Sequence, residues 1–336
     1  MKRKRSRSSR PRALLAPLFL ACAVASLAGT FVFPEESVSA AYRQDYESAW
    51  RLVEDVEPGA EAGPGIAFWR AALTQLLLYD SGRPALADSF YRLSDRAVAA
   101  CKARLRHEPQ DATAHMYLGL TQLNRANCQS WRQQRFRAVF TMLGVERHLR
   151  RAVELDSLLE DAWFGIGVIE YFKATADRYV FGMGILGSRE RAYELVERAA
   201  GSDGVLCNAA LFLQAFMHKE DGEFDRAVGF CEELLERHPG NRAALRMLRD
   251  TYLAAGEHGE VIRLGREIEE SIGASFPDNR YGLAENRLQM ARAWSRSGQQ
   301  DSARVLVDSL VAWEPYQDSV PWLRNYIADA RRLKTR

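Results

Sequence analysis

One spacing of small residues and prolines recurs in the second half of the 336-residue chain and constrains its fold more than any other feature. Each copy begins with a glycine and ends with a proline, with small or apolar residues at fixed intervals between them. The two copies are Gly222, Ala227, Cys231, Leu234, Pro239 and Gly298, Ala303, Val307, Leu310, Pro315. Gly256 follows Gly222 by 34 residues. A 34-residue period is typical of helical hairpins that bury their apolar faces only by stacking on one another, so a helical solenoid is expected.

Helical periodicity also dominates the rest of the chain, and we find no alternating strand pattern of useful length. We expect an N-terminal helix and linker over residues 41–65, helical repeats over 66–318 and a capping helix over 319–336. Insertions are expected at 124–143 and 173–187, where a hairpin normally turns within a few residues. The predicted fold class is therefore all-α.

Several hairpins carry short motifs of a known repeat family. Trp163, Ile166 and Gly167, with Tyr171 one place late, resemble the W-x2-L-G-x2-Y opening of tetratricopeptide repeat (TPR) proteins. Further partial matches are Leu118 with Gly119, and Ala192 with Val196 and Ala199. The resemblance covers about residues 66–315, and the layout is similar to exported bacterial repeat proteins. It implies a right-handed, TPR-like solenoid of five or six helical hairpins that binds proteins or peptides.

The first residues of the chain have the composition of an export signal. Residues 1–12 contain seven Lys or Arg and no acid, and an apolar run over 13–33 follows. We expect 1–40 to be a signal peptide cleaved after Ala40, with Ala28 as a second cleavage point. An uncleaved membrane anchor through 13–33 is the alternative. The predicted location is the periplasm or cell envelope, with inner-membrane anchoring in the second case.

The charge of the exported part argues against nucleic-acid binding. The whole chain has a net charge of +2 from 46 basic and 44 acidic side chains. Removing the seven basic and two acidic residues of 1–40 leaves 39 against 42, a net charge of −3. A nucleic-acid-binding chain needs a basic surface, so we expect no nucleic acid partner.

Four cysteines remain after residue 40: Cys101, Cys128, Cys207 and Cys231. An exported protein can form disulfides. However, Cys101 and Cys231 fall on the apolar faces of their helices, where packing accounts for them. We expect four free thiols, and the sequence leaves disulfides between distant pairs open.

No motif with a chemical role has the context that it needs. The G-x-G-x-x-G sequence at 182–187 lacks a preceding strand, so it is interpreted as a connector. His218, Glu220 and Asp221 cluster at a helix end, where capping and packing explain them better than a metal does. The other histidines form no pair at ligand spacing. We therefore predict no catalytic residue, no cofactor and no metal site.

The concave groove is the predicted binding site, because the first helix of each TPR hairpin lines it. The expected inward residues are Met116, Leu120, Phe164, Val168, Phe172, Phe212 and Phe216, followed by Arg246, Asp250, Arg292 and Arg296. Such a groove suits a peptide with an apolar stretch and an acidic end. Alternatively, the insertions fill it with Trp131, Phe136, Phe140, Tyr179 and Phe181, because large exposed apolar patches are uncommon.

We therefore expect a non-catalytic protein-protein interaction scaffold of the cell envelope. Two other function classes stay open at this point. A lipid or small-ligand carrier would use the same aromatic groove and would need a closed apolar cavity. A helical envelope hydrolase would need paired inward carboxylates, whereas the inward positions are apolar.

Overall fold

A computed structural model describes residues 35–54, 63–176, 187–320 and 322–334. These ranges contain fifteen α-helices, one short 3-10 helix at Glu314–Tyr316 and no strand. The helices are α1 Glu35–Tyr42, α2 Tyr46–Glu54, α3 Pro64–Ser81, α4 Leu86–His107, α5 Ala112–Trp131, α6 Arg135–Leu155, α7 Glu160–Ala176, α8 Arg189–Ala200, α9 Cys207–Asp221, α10 Phe224–Arg237, α11 Arg242–Ala255, α12 His258–Ser275, α13 Arg280–Arg296, α14 Gln300–Val311 and α15 Leu323–Lys334.

Helices α3 to α14 pack as six successive hairpins, each helix against the next, and α15 packs on α13 and α14. The repeated glycines end first helices. Gly222 closes α9 and Gly256 closes α11, with φ of +80° and +91°. A residue with a Cβ atom is strained in this left-handed conformation, which is why glycine recurs at these ends. The predicted all-α, TPR-like solenoid is confirmed.

The small residues of the repeat lie where the two helices of a hairpin approach. Ala227 and Cys231 on α10 are fully buried. Gly167 on α7 has the same function, because a Cβ atom there would lie 2.9 Å from Cγ2 of Val196 on α8. Packing therefore explains the spacing seen in the sequence, since any larger side chain would push the paired helices apart.

The segment expected as an insertion at 124–143 continues two helices instead of forming a loop. α5 and α6 have 20 and 21 residues, and only 132–134 turn between them. The extra length carries Trp131 into a separate apolar cluster with Tyr79 and Tyr281. Of the second insertion, 177–186 lies outside the described residues.

Helix α1 begins before the predicted cleavage point and belongs to the packed fold. Ala40 and Ala41, which flank that point, are both buried. The Ser37 hydroxyl donates to the carbonyl of Ala49 at 2.7 Å and accepts from Nε1 of Trp69 at 2.8 Å. The predicted domain boundary at residue 40 therefore falls within α1, a helix that contacts both α2 and α3. Residues 1–34, including the apolar run over 13–33, lie outside the described part, and no described helix is long and apolar enough to cross a bilayer.

The four cysteines that were expected as free thiols form no disulfide with one another in the described part of the chain. Cys101, Cys128 and Cys231 are buried. Burial raises the pKa of Cys101 to about 12 and that of Cys128 to about 11. These two thiols therefore stay protonated at neutral pH, and neither has the thiolate character of a nucleophile or metal ligand.

Candidate functional site

Most of the predicted apolar groove is interior packing. Five of the expected groove side chains are buried in the core: Met116, Leu120, Phe164, Val168 and Phe212. The first helices of neighbouring hairpins pack directly on one another, α3 on α5, α5 on α7, and α9 on α11. Inward-facing positions therefore contact the next first helix, and a partner cannot contact these five without opening the fold. Treating them as an accessible surface was wrong.

Two predicted groove residues remain partly exposed, Phe172 on α7 and Phe216 on α9. Both rings pack edge-on against Tyr171, with centroid distances of 5.8 and 6.0 Å. Cations flank these rings, because Lys219 Nζ lies 5.2 Å from the centre of Phe216 and the Arg189 guanidinium lies 5.4 Å from that of Tyr171. We call Tyr171, Phe172 and Phe216 the aromatic patch.

The residues considered for a metal site are used in other contacts. The His218 ring is buried, stacks on Phe230 and lies with Nδ1 2.7 Å from a carboxylate oxygen of Glu223. Asp221 pairs with Arg189 and accepts from the Tyr193 hydroxyl at 2.7 Å. Glu220 pairs with Lys219. Within the described ranges no three His, Cys, Asp or Glu residues are grouped as metal ligands.

The charged end of the predicted groove is held in internal interactions. Arg246 lies 3.7 Å from a carboxylate oxygen of Asp80. Asp250 accepts from Arg249, a fully buried arginine that sequence reasoning missed. Arg292 donates to Asp329 at 3.1 Å, and Arg296 donates to the Leu253 carbonyl at 3.1 Å. The side chains of these four predicted groove residues are therefore engaged in contacts within the protein.

A buried polar contact joins the N-terminal and C-terminal hairpins across the groove. Arg242 on α11 pairs with Asp80 on α3 through two hydrogen bonds, one of 2.9 Å. The Tyr46 hydroxyl donates to the same carboxylate at 3.1 Å, and Asn279 donates to the Asp80 carbonyl at 2.7 Å. We call Asp80, Arg242, Tyr46 and Asn279 the seam. These side chains link α2 and α3 to α11 and to the start of α13.

Aromatic contacts extend the seam in both directions. Trp131 donates from Nε1 to the Tyr281 hydroxyl at 3.1 Å, and Trp322 donates from Nε1 to the Trp131 carbonyl at 2.6 Å. At the other end Tyr42 stacks on His238 at 4.9 Å. Trp131 is thus buried, but in a cluster with Tyr79 and Tyr281 that contains none of the predicted groove residues. Tyr179 and Phe181 lie outside the described residues, as do the side chains of Phe136 and Phe140.

Three buried or half-buried groups have shifted acidities. Burial raises the pKa of Asp161 to about 6, although its carboxylate accepts from the Leu206 amide at 3.0 Å. Burial lowers the pKa of His238 to about 4, and Arg43 and Arg237 lower it further. Burial and the neighbouring His115 lower the pKa of His148.

His115 and His148 form a contact that the sequence analysis did not anticipate. Their Nδ1 atoms lie 3.1 Å apart, and His115 Nε2 lies 3.2 Å from the Pro109 carbonyl. The residues are 33 positions apart, and only the pairing of α5 with α6 brings them together. The hairpin register of the sequence indicates that α5 and α6 pair, but the spacing of the histidines alone does not show that these two rings meet.

The similarity of this chain to known proteins lies in its fold. No family model and no curated protein matches it. The crystal structure of the APC/C hetero-tetramer Cut9-Hcn1 shares 12% identity with this chain at a TM-score of 0.57, covering 89% of this chain and 49% of that one. This chain thus spans about half of that protein's length.

PilW, described as a widely conserved type IV pilus biogenesis factor, shares 16% identity at a TM-score of 0.49 over 71% of this chain and 93% of its own. A human IFIT1 dimer with PPP-AAAA shares 12% at 0.46 over 88% and 67%. The chain has a TPR-like fold.

Proposed function

We propose that this protein is a non-catalytic interaction scaffold that binds a peptide or protein partner at the aromatic patch. The observation that carries the proposal is the partial exposure of Phe172 and Phe216 on adjacent first helices, at the end of a groove whose other apolar side chains are buried. Their backing ring, Tyr171, is itself buried. A rigid aromatic pair with a polar rim has the composition of an interface centre.

The rim indicates the chemistry of the partner. Lys219 and Arg189 both lie over rings of the patch, and their acidic partners Glu220 and Asp221 sit at the end of α9. An apolar side chain followed by a carboxylate would contact the rings and then pair with Lys219 or Arg189 in place of the acidic partner that each now has. The sequence analysis expected the same type of peptide for the whole groove. We propose that its binding site is only the aromatic patch at one end of the groove.

A cell-envelope location is part of the same proposal and rests on the sequence of residues 1–33. Seven basic residues followed by an apolar run are typical of exported or membrane-anchored chains. The carrier alternative receives less support, because the side chains of Leu120, Phe164 and Val168 occupy the positions where a lipid chain would have to lie.

The test is affinity capture from envelope extract with the full-length chain in a non-ionic detergent. We expect Phe172→Ala combined with Phe216→Ala to weaken capture of the partner at least tenfold, since two aromatic anchors are removed. A matched control removes two exposed apolar side chains elsewhere, Leu158→Ala with Val305→Ala. The purified partner then gives dissociation constants for all three proteins. Equal constants for the two double variants would contradict the proposal, provided that both keep the wild-type melting temperature.

A further inference from the structure

Three adjoining surface depressions, linked by shared lining residues, form a track that includes no residue of the aromatic patch. The first is a shallow depression whose six lining residues all lie on α4. It shares Tyr91 with a second cleft of about 470 Å³, between α4 and the turn that joins α5 to α6. The second shares Arg132 with a third, of about 390 Å³, between that turn and residues 317–325. We call this track the arginine trough.

The trough is basic through arginine alone. Its walls contain six arginines and three aspartates, with no lysine or glutamate: Arg92, Arg96, Arg125, Arg132, Arg137, Arg324, Asp88, Asp95 and Asp318. The protein outside residues 1–40 has a net negative charge, so this concentration of arginine is local. Guanidinium groups bind carboxylates through two parallel hydrogen bonds, which a lysine cannot do.

Three of the arginines form ion pairs with aspartates that are mostly exposed. Arg132 lies 3.9 Å from Asp88, whose side chain is 89% exposed. Arg125 pairs with Asp95, and Arg324 pairs with Asp318, and both of these aspartates are also mostly exposed. Such pairs contribute little to stability, so an incoming carboxylate can replace the aspartate at small cost.

Backbone strain provides a second observation at the same place. Among the described residues, three that are not glycine have positive φ, and two of them, Gln133 and Trp322, line the third cleft with φ of +63° and +64°. The hydrogen bond from Trp322 Nε1 to the Trp131 carbonyl holds both strained segments together. Strain of this kind is retained preferentially where it positions a binding surface.

We propose that the arginine trough binds an extended acidic segment of another protein. Ala87 and Ala99 both line the trough and lie 12 residues apart on α4, which is about 18 Å along a helix. An extended peptide covers that length in about five residues, and the third cleft lengthens the track. Carboxylates of the peptide pair with the arginine forks, as in other arginine-cluster recognition of acidic motifs.

The interleaved aspartates favour a peptide over a nucleic acid. A peptide can place an uncharged side chain opposite Asp88 or Asp95, whereas every nucleotide brings a phosphate. The ring of Tyr91 is also covered by the Arg125 guanidinium at 5.6 Å, and Trp131 is buried. One face of Tyr91 and the whole of Trp131 are therefore closed to base stacking, which contributes strongly to the binding of single-stranded nucleic acids.

Isothermal titration calorimetry of the full-length chain in a non-ionic detergent tests the proposal. The probes are an octapeptide of alternating glutamate and serine, the same peptide with lysine for glutamate, and an eight-nucleotide oligothymidylate. We expect the glutamate peptide to bind at low salt and the lysine peptide not to bind.

Replacing three trough arginines, Arg125→Gln, Arg132→Gln and Arg137→Gln, is expected to weaken binding of the glutamate peptide at least tenfold. The matched control makes the same charge change on other helices, with Arg226→Gln, Arg263→Gln and Arg304→Gln. We expect this control to change the affinity for the glutamate peptide less than twofold.

Three outcomes would overturn the proposal. Absence of any heat with the glutamate peptide at millimolar concentration is the first. An equal loss of affinity in the two triple variants would mean that the peptide responds to total charge. Tighter binding of oligothymidylate than of the peptide would assign the trough to nucleic acid. Circular dichroism and melting curves of both variants exclude unfolding as the cause. The trough and the aromatic patch share no residue, so each proposal can fail without the other.

Discussion

Arg242 and Asp80 lie 162 positions apart in the chain and form a two-point ion pair with side chains only 2% and 5% exposed. One belongs to the fifth hairpin and the other to the first. Their contact turns an open stack of hairpins into a structure whose early and late parts touch. The burial of the predicted groove residues has a different cause, which is the direct packing of successive first helices on one another.

Arg242→Met is expected to destabilise the protein by about 3–5 kcal/mol, because it leaves the Asp80 carboxylate buried with its main partner removed. Urea unfolding followed by circular dichroism measures the change. Combining Asp80→Leu with Arg242→Met should recover much of the loss, since apolar pairs often replace buried ion pairs at little cost. If the double variant is as unstable as Arg242→Met alone, the charge of Asp80 is not the cause.

Ala227→Leu is expected to destabilise by about 1–3 kcal/mol, because Ala227 is fully buried at the repeat position where α10 packs on its hairpin partner. The neighbouring Arg226 is exposed, and Arg226→Ala is expected to be nearly neutral. Both are measured by their urea midpoints. Equal midpoints would show that the repeat register is misplaced.

The hairpin register could be predicted because each of its signals is local. Gly222 marks a left-handed helix end, and Ala227 and Cys231 mark the close approach of neighbouring helices. These requirements act within a single hairpin, and the 34-residue step from Gly222 to Gly256 indicates that such hairpins stack. The fold class follows from such residues alone.

The accessible surface could not be predicted in the same way. Whether Phe164 faces solvent or a neighbouring helix depends on how tightly successive first helices pack, and helical periodicity gives the same pattern for both. The seam depends on residues such as Asp80 and Arg242, which have no shared local motif. Of the aromatic groove residues, only the partly exposed Phe172 and Phe216 remain candidates for direct contact with a partner.

Ser37→Ala is expected to cost about 1–3 kcal/mol, because it removes the acceptor of the buried Trp69 indole and the donor to the Ala49 carbonyl. Ser39→Ala is the control, since the Ser39 hydroxyl accepts only from an exposed Arg43 contact. For the same reason we expect any signal cleavage to fall upstream of Glu35, so that Ser37 is kept. N-terminal sequencing of the chain recovered from cells checks this, and a chain beginning at Ala41 would contradict it.

The pH dependence of stability is expected to have two opposing components between about pH 6 and pH 4. The pKa of His238 is about 4 in the folded protein, below its ordinary value of 6.5, so the unfolded state binds this proton first and stability falls as pH falls. The pKa of Asp161 is about 6, above its ordinary value of 3.8, so the folded state binds that proton first and stability rises as pH falls.

Single variants separate these two components. Asp161→Asn is expected to lose stability more steeply than the wild type as pH falls from 6 to 4, because the opposing component is gone. His238→Gln is expected to lose it less steeply. Urea midpoints at half-unit pH intervals give the slopes, and parallel curves for all three proteins would rule out both assignments. His148, whose pKa is also lowered, acts in the same direction as His238.

Gln133→Gly is expected to stabilise the protein by about 0.5–1 kcal/mol. Gln133 follows the end of α5 with φ of +63°, a conformation in which glycine avoids the Cβ strain that glutamine bears. The gain is partly offset because glycine has more conformational freedom in the unfolded chain. Gln134→Gly is the control. Gln134 has a negative φ of −87°, so this variant of the protein is expected to be less stable. Gln133 also lies in the wall of the arginine trough. Urea midpoints of the two variants decide the matter, and a loss of stability in Gln133→Gly would show that the backbone there is unstrained.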